Sequence, residues 1–529
     1  MDSSKIKAVL IAIVAMFCAI YLGIAAATAK FEAIAWVVGI CGLACILALG
    51  KHIWILIPIA LALGGGVNAL PGSPRVVWVA MAITGCVFLL HFSLRRQKEF
   101  TFRWSWLDFA ILLQAFVIAQ AYMRNPSGIA LFGGDTVGGK AYFVYAFAII
   151  IYFMLAVVAT NIRMFRLAVI LMILMGILDS MLGLASEFLP GLAALVLPIY
   201  SGVSFTSATG DVGANAETDR VNSGKSVGDI LGRAAFTLFP PASTLNPINL
   251  IRFLMMAVAI GATFISGFRS TMGLLVIYFV VGSLVRGRLR DLVVTGFIGF
   301  IGLAGIMMVG VDKLPFGAQR ILSVLPVGVD ERIKDGAENS SEWRFNMWRL
   351  ALTTDRYIQN KLLGDGFSFR ADELAAAQDA AFGDRRRSKG MTTEDIMLSR
   401  GSYHGFHVEA IRMTGVLGLI CALVALGIFF RCALRHIRYY KGRAEWGYVL
   451  FICVPFLIHP FYLMLVFGDY RFGFPDIMMA AGMLKILDNI RRAESLELSR
   501  QSPATIKVAQ VTAQQNLARG LTTPIVSAR

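Results

Sequence analysis

Long apolar runs separated by short polar breaks fill most of the chain. They cover Ala8–Ala29, Ala33–Leu49, Ile53–Leu70, Val76–Leu94, Trp106–Met123, Ala141–Ala159 and Phe165–Ser186. They resume at Asn249–Ile265, Thr271–Val285, Leu292–Gly310, Val408–Phe430, Trp446–Phe467 and Phe474–Leu487. At 1.5 Å of rise per residue, most are long enough to cross ~30 Å of hydrocarbon as helix. The pattern predicts an all-α, polytopic transmembrane helical bundle. The first run ends in "GIAAATAK", which looks like a signal-cleavage site. Its apolar part exceeds a typical signal core and further runs follow at once, so an uncleaved first span is expected.

The polar breaks orient the bundle. "LRRQKEFTFR" (94–103), "NIRMFR" (161–166), "VRGRLR" (285–290) and "RCALRHIRYYKGR" (431–443) are short and basic, the positive-inside signature of cytoplasmic loops. Counting from them places "SGFRS" (266–270) and residues 311–407 outside and the C-terminus inside. Counting from the N-terminus gives the opposite parity, so one crossing is hidden in 187–248, at 188–205 or in a broken segment around 231–245. The total becomes about 12–14 spans. Residues 206–232, rich in Gly, Ser, Asn and Asp, read as a loop. Four regions follow: transmembrane helices over 1–310, a large periplasmic loop with short helices over 311–407, C-terminal helices over 408–490, and a disordered cytoplasmic tail over 491–529.

Composition supports the membrane assignment. The chain of 529 residues is 57% hydrophobic and 16% charged, whereas soluble proteins carry about 25% charged residues. A net charge of +16 would suit a nucleic-acid partner, but it is spread over loops between spans and no soluble module carries it. Membrane lipids are the expected surroundings. Seven cysteines (18, 41, 45, 86, 421, 432 and 453) lie in or beside apolar runs without a CxxC pair and read as small buried hydrophobes.

Candidate chemistry concentrates in the large loop. "NSSEWRFNMWRLALTTDRYIQN" (339–360) reads as a helix capped by Ser340 or Ser341, with Trp343, Met347, Leu350 and Ala351 on one face. Arg344 and Trp348, four apart, are expected to stack. In "NKLLGDGFSF" (360–369), Gly364 and Gly366 mark a tight turn. "ADELAAAQDAA" (371–381) reads as a short helix and "DRRRSK" (384–389) as a basic loop suited to solvent or anionic lipid. His404 and His407, two of six histidines, stand where the loop meets an apolar run and are expected to share a helical face. No third ligand with familiar spacing makes them a metal site. They read as interfacial hydrogen-bonding groups or as a general base at the membrane surface.

The order of these features resembles the O-antigen ligase and polymerase superfamily of bacterial membrane glycosyltransferases, over roughly 245–425. The family's serine–arginine motif at an outer span end is similar to Ser266–Ser270, with Arg269 as its arginine and Phe268 where serine is usual. Arg344 and Trp348 fit its R-x-x-x-W pattern. Asn360, Gly364 and Gly366 fit a glycine pattern in which Lys361 replaces proline. His404, Val408, Ile411, Gly415 and Gly418 fit its histidine-led helix, with Gly405 and His407 replacing asparagine and tyrosine. The resemblance implies transfer of an undecaprenyl-diphosphate-linked glycan to an acceptor hydroxyl at the periplasmic face of the bacterial inner membrane, without metal or cofactor. It implies His404 as catalytic base and Arg269 and Arg344 as diphosphate ligands, with His407, Trp348, Gly364 and Gly366 in support. The acceptor, whether a second glycan, lipid A–core or protein, stays open. The alternative is a solute or polysaccharide transporter, for which Asp179 inside a span, Arg252 and Glu409 are the pointers. An unpaired mid-span aspartate costs roughly 2.5–3.5 kcal/mol to insert, so Asp179 should have a partner or face water.

Overall fold

A computed structural model describes residues 49–94, 100–126, 139–202, 222–314, 316–323, 344–355, 357–367 and 403–518, with isolated residues 42 and 342. The expected spans at 8–29 and 33–49, the helix at 371–381, the basic run at 384–389, the cap at Ser340 or Ser341, Trp343, and Cys18, Cys41 and Cys45 fall largely or wholly outside them.

Among the described residues the structure is helical, with β-bridges only as isolated pairs. A 3-10 turn at Gly50–Ile55 leads into α1 (Leu56–Leu63), followed by α2 (Val76–Ser93), α3 (Trp106–Arg124), α4 (Lys140–Ala156), α5 (Ile162–Phe188), α6 (Pro190–Val196) and α7 (Asn222–Leu238). Then come α8 (Pro241–Thr244), α9 (Leu250–Ser266), α10 (Arg269–Val285), α11 (Leu289–Val309) and α12 (Phe316–Leu322). The last three are α13 (Phe406–Tyr439), α14 (Trp446–Leu465) and α15 (Gly473–Ala518). Among the described residues five helices, α2, α3, α5, α13 and α14, are long and apolar enough to cross a membrane. Shorter apolar helices pack among them. The run expected at Ile53–Leu70 stops at Leu63, because Gly64 turns left-handed (φ 59°).

The helices alternate between two ends of the bundle. At one end the basic breaks meet: Phe100 bridges Val158, Arg166 lies over the Tyr448 ring, and Arg286 lies over Trp446. At the other end Gly267 touches Gly317, and residues 344–367 and 403–405 gather.

Within 187–248, α7 runs from one end of the bundle to the other. It starts beside Ser266 at the histidine end and finishes with Leu238 against Gly447 at the basic end. The loop expected over 206–232 is therefore helical from residue 222, and α7 overlaps the 231–245 candidate over 231–238. Its polar residues obscured it, but its glycines explain it. Gly224, Gly228 and Gly232 recur every four residues, and a Cβ on Gly224 would stand 2.8 Å from the Ala262 carbonyl of α9. Small residues at helical spacing let two backbones approach inside a membrane. On the opposite side, Arg233 donates from Nε and Nη2 to the Phe451 carbonyl at 3.0 and 2.8 Å. Pro455, four residues on, has no N–H to give that carbonyl, so the arginine supplies the missing donor.

At the basic end a fully buried pair joins α3 to α15: Lys485 Nζ lies 2.5 Å from Asp108. Ser105 accepts from the same ammonium at 3.0 Å and Tyr152 donates to Asp108 at 2.8 Å, so neither charge lacks partners. α15 runs on to Ala518, through the tail expected to be disordered. That tail lacks an apolar period but is rich in Ala, Arg, Gln and Leu, which favour helix by propensity alone.

Candidate functional site

The site forms where the large loop meets α13. That helix is interrupted at Gly415, whose φ of 76° and ψ of 179° no other residue type adopts without strain. The break turns the Val416 and Leu417 amides away from the Arg412 and Met413 carbonyls. Residues 361–366 repair it bond for bond. Asp365 N donates to Arg412 O at 2.7 Å and Gly366 N to Met413 O at 3.0 Å. Val416 N donates to Lys361 O at 2.8 Å and Leu417 N to Leu362 O at 3.2 Å. Two motifs far apart in sequence are thus one structural unit. Gly364 and Gly366 both have positive φ, and a Cβ on Gly364 would stand 2.5 Å from the Gly415 amide.

Several groups latch this loop, and most of them lie outside the sequence pattern. The Asp365 carboxylate accepts from the Gln359 and Asn360 amides at 2.9 and 2.8 Å and lies 3.8 Å from the Arg412 guanidinium, both side chains buried. From α3, Arg124 donates to the Leu363 and Gly364 carbonyls at 2.6 and 2.5 Å. Asn125 donates to the Asp365 carbonyl at 2.6 Å. Asn360, a motif residue, accepts from Leu363 N at 2.9 Å and closes the turn.

A satellite core seats the histidine segment: Met347, Ala351, Ile358, Tyr403 and Val408 bury one another under Trp348. Among the described residues helix is present at 342 and over 344–353, and the expected 339–360 helix ends early, where Thr354 and Asp355 precede the glycine turn. Trp348 does not pair along its own helix with Arg344 as expected. Its ring meets Phe345 and stands edge-on to His407, centroids 4.7 Å apart. Its Nε1 donates to the Tyr403 carbonyl at 2.8 Å. Gly405 makes this possible, since a Cβ there would lie 2.7 Å from the indole.

His404 and His407 do not share a helical face. α13 begins at Phe406, and His404 precedes it with φ 49°, a conformation non-glycine residues seldom hold. That backbone turn points the two rings apart: His407 packs on Trp348, while His404 lies against Phe467 at 5.7 Å. Burial, reinforced by the Arg344 charge and opposed by Asp469, holds the His404 imidazole below its ordinary pKa.

Arg344 links the cluster. Its charge is felt by His404, by Arg269 and by Tyr462, which hydrogen-bonds Ser270. Its Nε is buried and makes no hydrogen bond among the described residues. Arg269 opens α10 immediately after the Gly267–Phe268 turn, where the helix dipole adds positive potential. The structure therefore brings Arg269 and His404 each within electrostatic reach of Arg344, with Trp348, His407, Gly364 and Gly366 holding the surrounding backbone. It adds a loop between α14 and α15. There Asp469 accepts from Phe472 N at 3.0 Å, and Glu409 accepts from Tyr470 N at 2.8 Å. In the sequence Asp469 was marked only by "GDYRF", an acid and a base in a short break between apolar runs, and Glu409 only as a charge near a span end.

Of the transporter pointers, Asp179 hydrogen-bonds the Tyr200 hydroxyl and Arg252 lies 4.6 Å over the Phe239 ring. Two cavities of ≈170 and ≈1110 Å3 lie elsewhere and are not lined by Arg269, Arg344 or His404. No family model matches the chain, and no curated protein matches it.

Proposed function

We propose that this chain is a membrane glycosyltransferase that moves a glycan from an undecaprenyl-diphosphate carrier to an acceptor hydroxyl, as O-antigen ligases and polymerases do. One observation carries the reading: two arginines and one neutral-leaning histidine, from three separate segments, converge at one end of a helical bundle. Two guanidiniums suit a diphosphate, which they bind by paired hydrogen bonds. Arg269 and Arg344 hold the diphosphate and neutralise charge as it leaves. His404 takes the acceptor proton while the acceptor oxygen bonds to the anomeric carbon. The bond from that carbon to the diphosphate breaks, and the configuration inverts. Asp469 steadies the imidazolium that forms. The acceptor is another glycan or lipid A–core.

The gathering of basic loops at the opposite end supports a bacterial inner-membrane orientation, with the large loop periplasmic and the C-terminus cytoplasmic. The transporter reading loses its main pointer, because Asp179 has a hydroxyl partner and a place in the packing.

The test is transfer by the purified chain in lipid nanodiscs, with a synthetic lipid-diphosphate glycan and an acceptor. His404→Ala should slow transfer by about 10²–10⁴-fold, the usual worth of one general base, with unfolding temperature unchanged. Equal rates for variant and native chain would remove His404 from the reaction. Failure of the native chain to consume donor with any acceptor would overturn the reading.

A further inference from the structure

The reaction proposed above gives Glu409 no task. The residue stands in the first turn of α13, five positions after His404, and is only 5% exposed. Its amide continues the helix, donating to Gly405 O at 3.0 Å. Its side chain instead joins α13 to the loop between α14 and α15. There Oε2 accepts from Tyr470 N at 2.8 Å. The Glu409 carboxyl is also hydrogen-bonded to the carboxyl of Asp469. Asp469 is held by its own loop: Oδ1 accepts from Phe472 N and the backbone carbonyl from Phe474 N, both at 3.0 Å. The charge of Asp469 acts in turn on His404. A chain of direct contacts thus runs from Glu409 through Asp469 to the candidate base.

Carboxylates only accept hydrogen bonds, so two carboxyls in contact need a proton between them. The charges around the pair call for the same proton. Arg412, on the helix of Glu409, lies 3.8 Å from Asp365, and both side chains are buried. Arg471, in the loop of Asp469, is the cation felt by both Glu409 and Asp469, and it also senses Arg412 and Tyr403. Tyr145 of α4 feels both carboxyls, but its hydroxyl donates to the Tyr470 carbonyl at 2.6 Å. Three acids therefore stand against two guanidiniums, and one proton balances the cluster. Burial decides where it sits. Glu409 is buried and Asp469 half-buried, so the charge costs less on Asp469 and the proton belongs to Glu409.

We propose that Glu409 is a positioning residue, a neutral carboxylic acid whose O–H donates to the Asp469 carboxylate and sets it against His404. Its role in transfer rests on the glycosyltransferase reading; the shared proton does not. In the reaction the acceptor O–H gives its proton to His404, and Asp469 keeps its negative charge beside the imidazolium. Glu409 keeps its own proton throughout. Ionised, it would set a second negative charge against Asp469 and part the loop from α13.

Glu409→Gln is the discriminating variant. An amide accepts from Tyr470 N and donates to Asp469 as the acid does, but it cannot ionise. Subtracting the infrared spectrum of Glu409→Gln from that of the native chain, both at neutral pH in nanodiscs, should leave the C=O stretch of a protonated carboxyl. Raising the pH should bleach that band and slow native transfer together, whereas Glu409→Gln should keep its rate. Glu409→Ala should slow transfer about tenfold or more with the donor KM unchanged, since a small misplacement near the reacting groups is costly. Glutamine should restore most of that loss. The proposal fails if the difference spectrum shows only carboxylate bands. It also fails if glutamine is as slow as alanine, or loses activity at the same alkaline pH as the native chain. A native chain that shows the band yet never consumes donor would remove the glycosyltransferase reading and leave the shared proton standing.

Discussion

His404 sits in a tug of charges. Burial and Arg344 favour its neutral form, and Asp469 favours the imidazolium. A depressed pKa keeps the base unprotonated at neutral pH, so transfer should persist through the ordinary imidazole range and fall only as pH drops below it. Asp469→Asn removes the one influence that raises the value. The acid limb of the pH–rate profile should then move to lower pH, while the plateau rate falls because the imidazolium formed in the reaction loses its counter-charge. An acid limb that stays put or moves upward would break the link between the two residues. His404, Arg269 and Arg344 were legible because each belongs to a spaced pattern. Asp469, Arg412 and Arg124 were not, because their roles depend on which chain ends meet in space. The pairing of His404 with His407 misled for a local reason: a helix-periodic spacing means nothing before the helix begins.

At the scale of elements, the most informative feature is the repair of α13 by residues 361–366. Gly415→Ala would force a side chain into the Leu362–Leu363 backbone and penalise the backbone conformation by about 1–3 kcal/mol. Gly427, in the same helix, has open space where a Cβ would go. Gly427→Ala should therefore hold or raise stability, by up to about 1 kcal/mol from propensity, while Gly415→Ala lowers the unfolding temperature by several degrees. Thermal unfolding in detergent, followed by tryptophan fluorescence, compares them; equal midpoints would show that the break is dispensable. Most helices were legible from apolar run length. α7 was not, because its close approach to α9 requires glycines and its half-buried arginine answers a proline in another helix. Run-length reading registers both as loop.

Across the whole molecule, four basic breaks share one end and the candidate site occupies the other. Asp355 is largely exposed and lies at the site end, whereas Lys441 is exposed at the basic end. In intact cells a membrane-impermeant thiol reagent should label Asp355→Cys, and label Lys441→Cys only after permeabilisation; the reverse pattern would invert the orientation. Native Cys86, Cys421, Cys432 and Cys453 sit within α2, α13 and α14 and should react little with such a reagent. The gathering of the basic breaks at one end was recoverable from charge, but the run of α7 between the two ends was not.

The repaired break also bears on how the protein is made. Residues 361–366 leave the ribosome before α13 does, so the groups that complete that helix are present when it arrives. Inserted without them, α13 would carry two carbonyls and two amides bare into lipid, at a cost of several kcal/mol each. Chain order thus favours a late helix whose final shape is set by a segment made before it. A version of the protein in which 361–366 followed α13 would have to insert that helix incomplete.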